Sequence, residues 1–311
     1  MKIAVIGPGA LGCLLAAKFT LSGEEAWLVD YRPARAESLH RRGLLLKTPA
    51  GPDQVVKVPA ALPGDVGLSD LAVLTVKAHQ TAAAVEGLPL LLGAGGVALT
   101  LQNGLGNLEE MARVVGWGRL LGGSSILGVT KLGEGEVYLA GLGPTYVGPP
   151  SGSQVAPDEV QAVADLFRRA GLPCEVRGDI EAALWEKLLV NVGINPLTAL
   201  LRVNNGELLN LPPAWNLAVA AAAEAKAVAL ASGINLTVDP EKRLKEVCTA
   251  TAQNRSSMLQ DAAAGRRTEI EALNAQVAAR GERHGIAAPV NRCLTQLIRA
   301  LEMAVKSGGG G

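Results

Sequence analysis

The 311-residue sequence predicts an α/β domain built on a parallel sheet, followed by an all-α domain. Three observations carry this. Short apolar, β-branched runs alternate with helical stretches over roughly the first hundred residues. A glycine-rich turn, Gly7-Pro8-Gly9-Ala10-Leu11-Gly12, joins the first such run to the first helix. Beyond Arg177-Gly178 the strand signals largely stop, and Ala/Leu-rich helical sequence takes over.

The elements follow in order. Residues 2–6 (KIAVI) have the composition of a strand buried on both faces. Residues 10–22 read as a helix and 26–30 as a second strand, the opening of a βαβ unit. Further strands are expected at 71–76 and 97–101, with a helix near 79–92 between them. From about 120 to 148, glycines separate short strands at 120–127, 137–140 and 145–147, a pattern of antiparallel hairpins closing the domain. Residues 157–170 read as a helix and 173–176 as a last strand. Asp179 is a good N-cap for a long helix over 180–201. Helices are then expected at roughly 213–232, 239–264, 267–284 and 290–305. The expected domains are 1–177 and 178–306, with 307–311 as a flexible tail.

Composition narrows the function. Lys+Arg and Asp+Glu both number 29, so the formal net charge is zero and no basic excess exists to neutralise nucleic-acid phosphates. Aromatics make up only 3%, so the core must come from Ala, Leu and Val. Cys13, Cys174, Cys248 and Cys293 form no CxxC pair or His-flanked cluster, and are expected to be free buried thiols, with no metal bound. The apolar run from Lys2 to Ala17 is interrupted by Gly7, Pro8, Gly9 and Gly12, unlike a secretory leader. No other stretch reads as long and apolar enough to span a bilayer. The expected compartment is the cytoplasm, with no membrane partner.

Gly7-Pro8-Gly9-Ala10-Leu11-Gly12 matches GxGxxG in the required context, after a strand and opening a helix. Gly7 permits the tight turn, Gly9 lets the backbone approach a pyrophosphate, and Gly12 lets the helix pack closely on the strand. The helix N-terminus offers free N–H groups to the anion. This predicts a Rossmann-type dinucleotide domain. Asp30 ends the second strand, where a carboxylate favours a free ribose 2′-OH and hence NAD(H). Arg32, two residues on, is suited to the 2′-phosphate of NADP(H). A carboxylate and a phosphate repel, so one of the two must turn away. Two loops at strand carboxyl ends, Lys77-Ala78-His79-Gln80 and Gln102-Asn103-Gly104, lie where open α/β sheets bind ligands.

The most informative segment runs from Leu184 to Leu200. Lys187, Asn191 and Asn195 are spaced i, i+4 and i+8 on an otherwise apolar helix, so all three share a face. Unpaired in a core they would be costly, so they face solvent or a polar cleft. Pro196 removes one helical N–H and should leave the Val192 carbonyl without its usual partner. Asn205-Gly206 is a turn. A second polar cluster combines Ser256-Ser257 and Asp261 with Thr268-Glu269, where a hydroxyl can donate to a carboxylate and a Glu can orient an ammonium. Ordinary helix filler is an open alternative for this cluster.

At these residues the chain resembles the ketopantoate reductase (2-dehydropantoate 2-reductase) family, nearly end to end. The marks are the GxGxxG turn, Lys77 with Gln80, Asn103-Gly104, Trp185-x-Lys187-x3-Asn191-x3-Asn195, Asn205-Gly206, and Ser256-Ser257-Met258-x2-Asp261 leading to Thr268-Glu269-Ile270. The resemblance implies reduction of ketopantoate to pantoate, on the route to pantothenate and coenzyme A, usually with NADPH. It implies Lys187 as general acid, with Glu269 a catalytic partner. Glu269 and Asn103 also contact the cofactor or organise the site. Asn103, Asn191, Asn195 and Ser257 bind substrate, supported by Asn205, while Lys77 and Gln80 lie by the cofactor. The implied ligands are NADP(H), with NAD(H) left open by Asp30, and a small 2-keto acid. A related reductase of another branched or opine-like keto acid, and a non-catalytic dinucleotide-binding module, are the alternatives. The Ala-rich helical half is compatible with a homodimer.

Overall fold

The computed structural model describes residues 1–49 and 51–308, and side chains through 305. The backbone forms two compact units, one of Met1–Gln102 and Asn107–Ala183, the other of Asn103–Gly106 and the chain from Leu184 onward.

In the first unit β1 (Lys2–Ile6) leads into α1 (Ala10–Leu21), β2 (Glu25–Val29) and α2 (Pro33–Arg42). There follow β3 (Leu44–Thr48), β4 (Gly51–Val56), β5 (Ala60–Ala61), α3 (Pro63–Val66), β6 (Ser69–Leu74), α4 (Thr81–Val85), α5 (Leu88–Leu91), β7 (Leu92–Thr100) and α6 (Asn107–Val115). The unit continues with β8 (Leu120–Ser125), β9 (Gly128–Gly133), β10 (Glu136–Gly141), β11 (Thr145–Gly148), α7 (Pro157–Arg169) and β12 (Cys174–Val176). The main sheet has the order β12-β11-β8-β7-β6-β1-β2-β5. β1 pairs in parallel with both β2 and β6, at the centre of the sheet. Accordingly Ile3, Ala4, Val5 and Ile6 are wholly buried. Phe19 and Phe167, the chain's two phenylalanines, meet edge to face with ring centroids 5.2 Å apart.

The hairpin expectation for 120–148 holds only in part. β8 extends the main sheet parallel to β7 and pairs antiparallel with β11. β9 and β10 form a hairpin in a separate four-stranded sheet, ordered β4-β3-β10-β9. The expected helix over 79–92 is broken. A 3-10 turn, Ala78–Gln80, precedes α4 and α5, and Leu92 already starts β7.

Helix α8 (Ile180–Leu201) continues into the second unit and contains Pro196. The rest is a 3-10 segment (Asn205–Asn210), α9 (Pro212–Ala231), α10 (Pro240–Ala250), α11 (Ser257–Ala263), α12 (Asn274–Arg283) and α13 (Pro289–Gly308). The long helix expected over 239–264 is two helices, because the Ser256 hydroxyl accepts the Leu259 N–H as a new N-cap. The helix expected from 267 starts only at Asn274. α13 takes in Ser307 and Gly308, the first residues of the expected tail, and 309–311 lie outside the described residues.

α9 corrects the membrane reading, since by length and composition it is apolar enough to cross a bilayer. Its alanines 214, 218, 221 and 222 are instead buried in the helical core with Leu189, Ile194, Leu197 and Leu244. Cys293 is exposed, unlike the other three cysteines, because it lies on the outer side of α13.

The expected vacancy on Val192 is filled by a side chain. Asn274 Nδ2 donates to the Val192 carbonyl at 3.0 Å and to Asn291 Oδ1 at 3.0 Å. Asn291 Nδ2 in turn donates to Ala221 O and Glu224 Oε2. Glu224 accepts the Val290 and Asn291 N–H groups, both at 2.9 Å, at the start of α13. This buried amide chain links α8, α9, α12 and α13. Asn274→Ala removes the donor to a buried carbonyl and is expected to lower stability by about 1–3 kcal/mol. Urea unfolding checks this; an unchanged midpoint would show that Val192 O finds another partner.

Candidate active site

The glycine turn is fixed by backbone crowding. Gly7 has φ +106°, and a Cβ there would stand 2.6 Å from Val76 Cγ1. A Cβ on Gly12 would lie 2.0 Å from Gly7 O. Thr75 Oγ1 donates to Ile6 O and Gly7 O, tying the turn to the strand next door. Gly9 differs, since its Cβ would meet nothing closer than Thr75 O at 3.9 Å. Packing therefore does not require glycine at position 9, and the bare backbone is left for a ligand. Gly9 is also the N-cap of α1, whose first turn, Ala10, Leu11 and Gly12, carries no acidic residue. These features fit a dinucleotide pyrophosphate.

Past β2, Asp30 is buried and bonded to Arg35, which the sequence reading did not single out. Arg32 is the exposed N-cap residue of α2. Lys131, on β9, also escaped notice, and its Nζ donates to the Pro8 carbonyl at 3.5 Å. No sequence spacing links β9 to the glycine turn.

At the ends of β6 and β7, Lys77 is half-buried and precedes the Ala78–Gln80 turn, while His79 and Gln80 are exposed. Gln102 holds this region together. Its Nε2 donates to Val76 O at 2.8 Å and to Thr81 Oγ1 at 2.7 Å, and its Oε1 accepts from Thr100 Oγ1. Thr81 Oγ1 donates onward to Asn107 Oδ1. This network fixes the backbone next to Lys77.

In the second unit, Lys187 and Asn191 are half-buried on α8, and Asn195 is buried. Glu269 lies in the non-helical stretch before α12, is buried, and accepts from Asn103 Nδ2 at 3.2 Å. Gly104 holds that contact in place. It has φ +81°, its Cβ would stand 2.3 Å from Ala272 O, and the adjacent Leu105 N–H donates to the same oxygen at 2.9 Å. Asn205 is anchored by N–H donation to Asn254 O and by Nδ2 donation to Thr251 Oγ1. Its Oδ1 is buried without a hydrogen-bond partner among the described residues. Ser257 is exposed in the first turn of α11; the buried capping hydroxyl is that of Ser256, which also accepts from Thr198 Oγ1 at 2.7 Å. Among the described residues, no three His, Cys, Asp or Glu side chains gather as a metal site.

Residues 3–152 match the family described as ketopantoate reductase PanE/ApbA, and residues 179–302 match the C-terminal part of the same family. A 2-dehydropantoate 2-reductase of Halobacterium salinarum is 37% identical over 300 residues, covering 96% of this chain and 98% of that one. The chain belongs to the ketopantoate reductase family. A crystal structure of a family member from Ralstonia eutropha JMP134 superposes with TM-score 0.89 at 30% identity, covering 98% of this chain and all of that one. A D-mandelate dehydrogenase, solved as a ternary structure with NADH and anilino(oxo)acetate, superposes with TM-score 0.90 at 26% identity, again over 98% of this chain and all of its own. Ketopantoate reductases are oxidoreductases, and their α/β-then-helical architecture is the one this chain shows.

Burial depresses the Lys187 ammonium to about 8, while the Glu269 charge pulls the other way. Lys187 is thus mostly protonated below about pH 8 and loses its proton above it. If the ammonium is required, kcat/KM falls as pH rises through about 8. Glu269→Gln removes the raising charge, so the limb should move to lower pH. A pH–rate profile checks both, and a limb that stays put or moves upward contradicts the pairing.

Proposed function

We propose that this chain reduces a 2-keto acid of the ketopantoate class to the 2-hydroxy acid, with NADPH, in the cytoplasm and on the route to pantothenate. The supporting observation is the half-buried Lys187 ammonium, sharing a helix face with Asn191 and Asn195 and coupled to the buried Glu269. The residues of the glycine turn, Gly7 to Gly12, hold the pyrophosphate, with Asp30 and Arg32 near the adenine ribose and Lys77 and Gln80 beside the cofactor. A reduced nicotinamide, when bound, supplies a hydride.

Hydride addition at C2 leaves negative charge on the former carbonyl oxygen. Lys187 Nζ stabilises that oxygen and gives it a proton, help worth roughly 10²–10⁴ in rate. Glu269 keeps the ammonium charged against the cost of burial, and Asn103 fixes Glu269 through the 3.2 Å hydrogen bond. The amides of Asn191 and Asn195 bind the substrate's polar groups. Asn205, whose buried Oδ1 has no hydrogen-bond partner among the described residues, adds an acceptor suited to a substrate hydroxyl. Ser257, exposed at the start of α11, donates to the substrate carboxylate.

The likeness to D-mandelate dehydrogenase supports a second substrate, an aryl 2-keto acid, which a side-by-side assay separates. Ketopantoate is expected to give the higher kcat/KM, and benzoylformate turning over better would displace it. Lys187→Ala is expected to lower kcat by about a hundredfold or more while calorimetry still shows dinucleotide binding. Near-normal turnover in that variant would refute the general-acid role.

A further inference from the structure

The end of β2 carries both an acidic reader of a ribose hydroxyl and a basic reader of a ribose phosphate, Asp30 and Arg32. Asp30 is only 2% exposed. Its Oδ1 accepts the Tyr31 N–H at 2.7 Å, the Arg32 N–H at 3.2 Å and Arg35 Nη2 at 2.7 Å. Its Oδ2 accepts Arg35 Nε. Oδ1 thus takes three donors, more than its two lone pairs hold ideally, and Oδ2 takes one, all from the protein. A carboxylate so buried and already turned to Arg35 and to two backbone N–H groups is poorly placed to read a ribose hydroxyl.

Arg35 lies in the first turn of α2 and reaches back to the strand end as a planar two-pronged partner. The pair is neutral as a unit. Beyond that pair stand two cations, the exposed Arg32 and Lys131 against the Pro8 carbonyl, with Glu134 as the one carboxylate that also acts on Cys13. Lys131 and Arg35 act together on the neighbouring Cys13 thiol, opposed there by Asp30 and Glu134. Counting Arg32, these are three cations against two carboxylates.

We propose that Arg35 sets the cofactor preference: by occupying the Asp30 carboxylate it removes both the hydroxyl reader and the repulsion that a 2′-phosphate would meet, and turns the site toward the phosphorylated dinucleotide. The inference rests on the dinucleotide reading above and deepens it. Arg35 does not itself hold the phosphate. It acts through Asp30, and so is a positioning residue.

The test is calorimetric titration of the full chain with NADP⁺ and with NAD⁺ at fixed ionic strength. Wild type is expected to bind NADP⁺ more tightly. Arg35→Met bares the carboxylate, and should cut the NADP⁺ preference by about tenfold or more, mainly through weaker NADP⁺ binding. Adding Asp30→Asn to Arg35→Met removes the bared charge and should restore most of the preference. Asp30→Asn alone, which buries no lone carboxylate, should keep it even if Arg35→Met fails to fold. An unchanged preference in Arg35→Met, a double variant as poor as the single, or loss of preference in Asp30→Asn would each overturn the role of Arg35. Wild type favouring NAD⁺ would overturn it too. In those cases the chain still binds dinucleotide and reduces keto acid; wild type binding neither dinucleotide would instead bring down the reading beneath.

Discussion

An ammonium on an apolar helix is the constraint around which the second unit is arranged. Trp185, Leu188, Leu189 and Val192 bury the opposite face of α8, while Lys187 and Asn191 are half-buried and Asn195 is buried on theirs. The depression of Lys187 to about 8 corresponds to roughly 3 kcal/mol against the charged form. Without a counter-charge the proton would be held more weakly still. Glu269 supplies that charge from the stretch before α12, where Asn103 Nδ2 donates to its carboxylate and the Leu105 N–H donates to Ala272 O. A general acid needs a pKa near the working pH, and in the role proposed for Lys187 burial opposed by one carboxylate would supply it.

Pro196 within α8 has the same logic. Proline frees a carbonyl in the middle of a packed helix, and a free buried carbonyl is expensive. Asn274 meets the Val192 oxygen, and Asn274 lies only five positions after Glu269. The hydrogen bond that repairs the helix carrying Lys187 therefore also fixes the start of the helix that follows Glu269. Asn291 and Glu224 extend the chain to α13 and α9, so the side chain that meets the Val192 carbonyl is itself held within the helical core.

The sequence was legible where local patterns carry the information. The GxGxxG turn, the parallel order of β1, β2 and β6, the i, i+4, i+8 polar face of α8 and the freed carbonyl at Val192 all follow from spacing and backbone chemistry. Contacts between distant segments were not legible. β3 pairs in parallel with β10, matching Leu45 with Glu136, and nothing within 44–48 announces a partner so far along the chain. The break between α10 and α11 depends on which of two adjacent serines turns inward to cap. Arg35 looks like any basic residue on a polar helix, and its importance appears only when the buried Asp30 is seen to take both its prongs.

A core with so few aromatic rings has to gain rigidity by another route, and it does so by close backbone approach. A Cβ on Gly193 would stand 2.9 Å from Ala218 O, so α8 and α9 touch along small residues. On Gly281 it would stand 2.6 Å from Ile286 O, and on Gly12 2.0 Å from Gly7 O. Such contacts leave little slack, because backbone atoms cannot swing aside as a long side chain can. The course of the α8 backbone, and with it the positions of Lys187, Asn191 and Asn195, is therefore set at Gly193 by direct contact with the α9 backbone as well as by the packing of buried side chains such as Trp185 and Leu189.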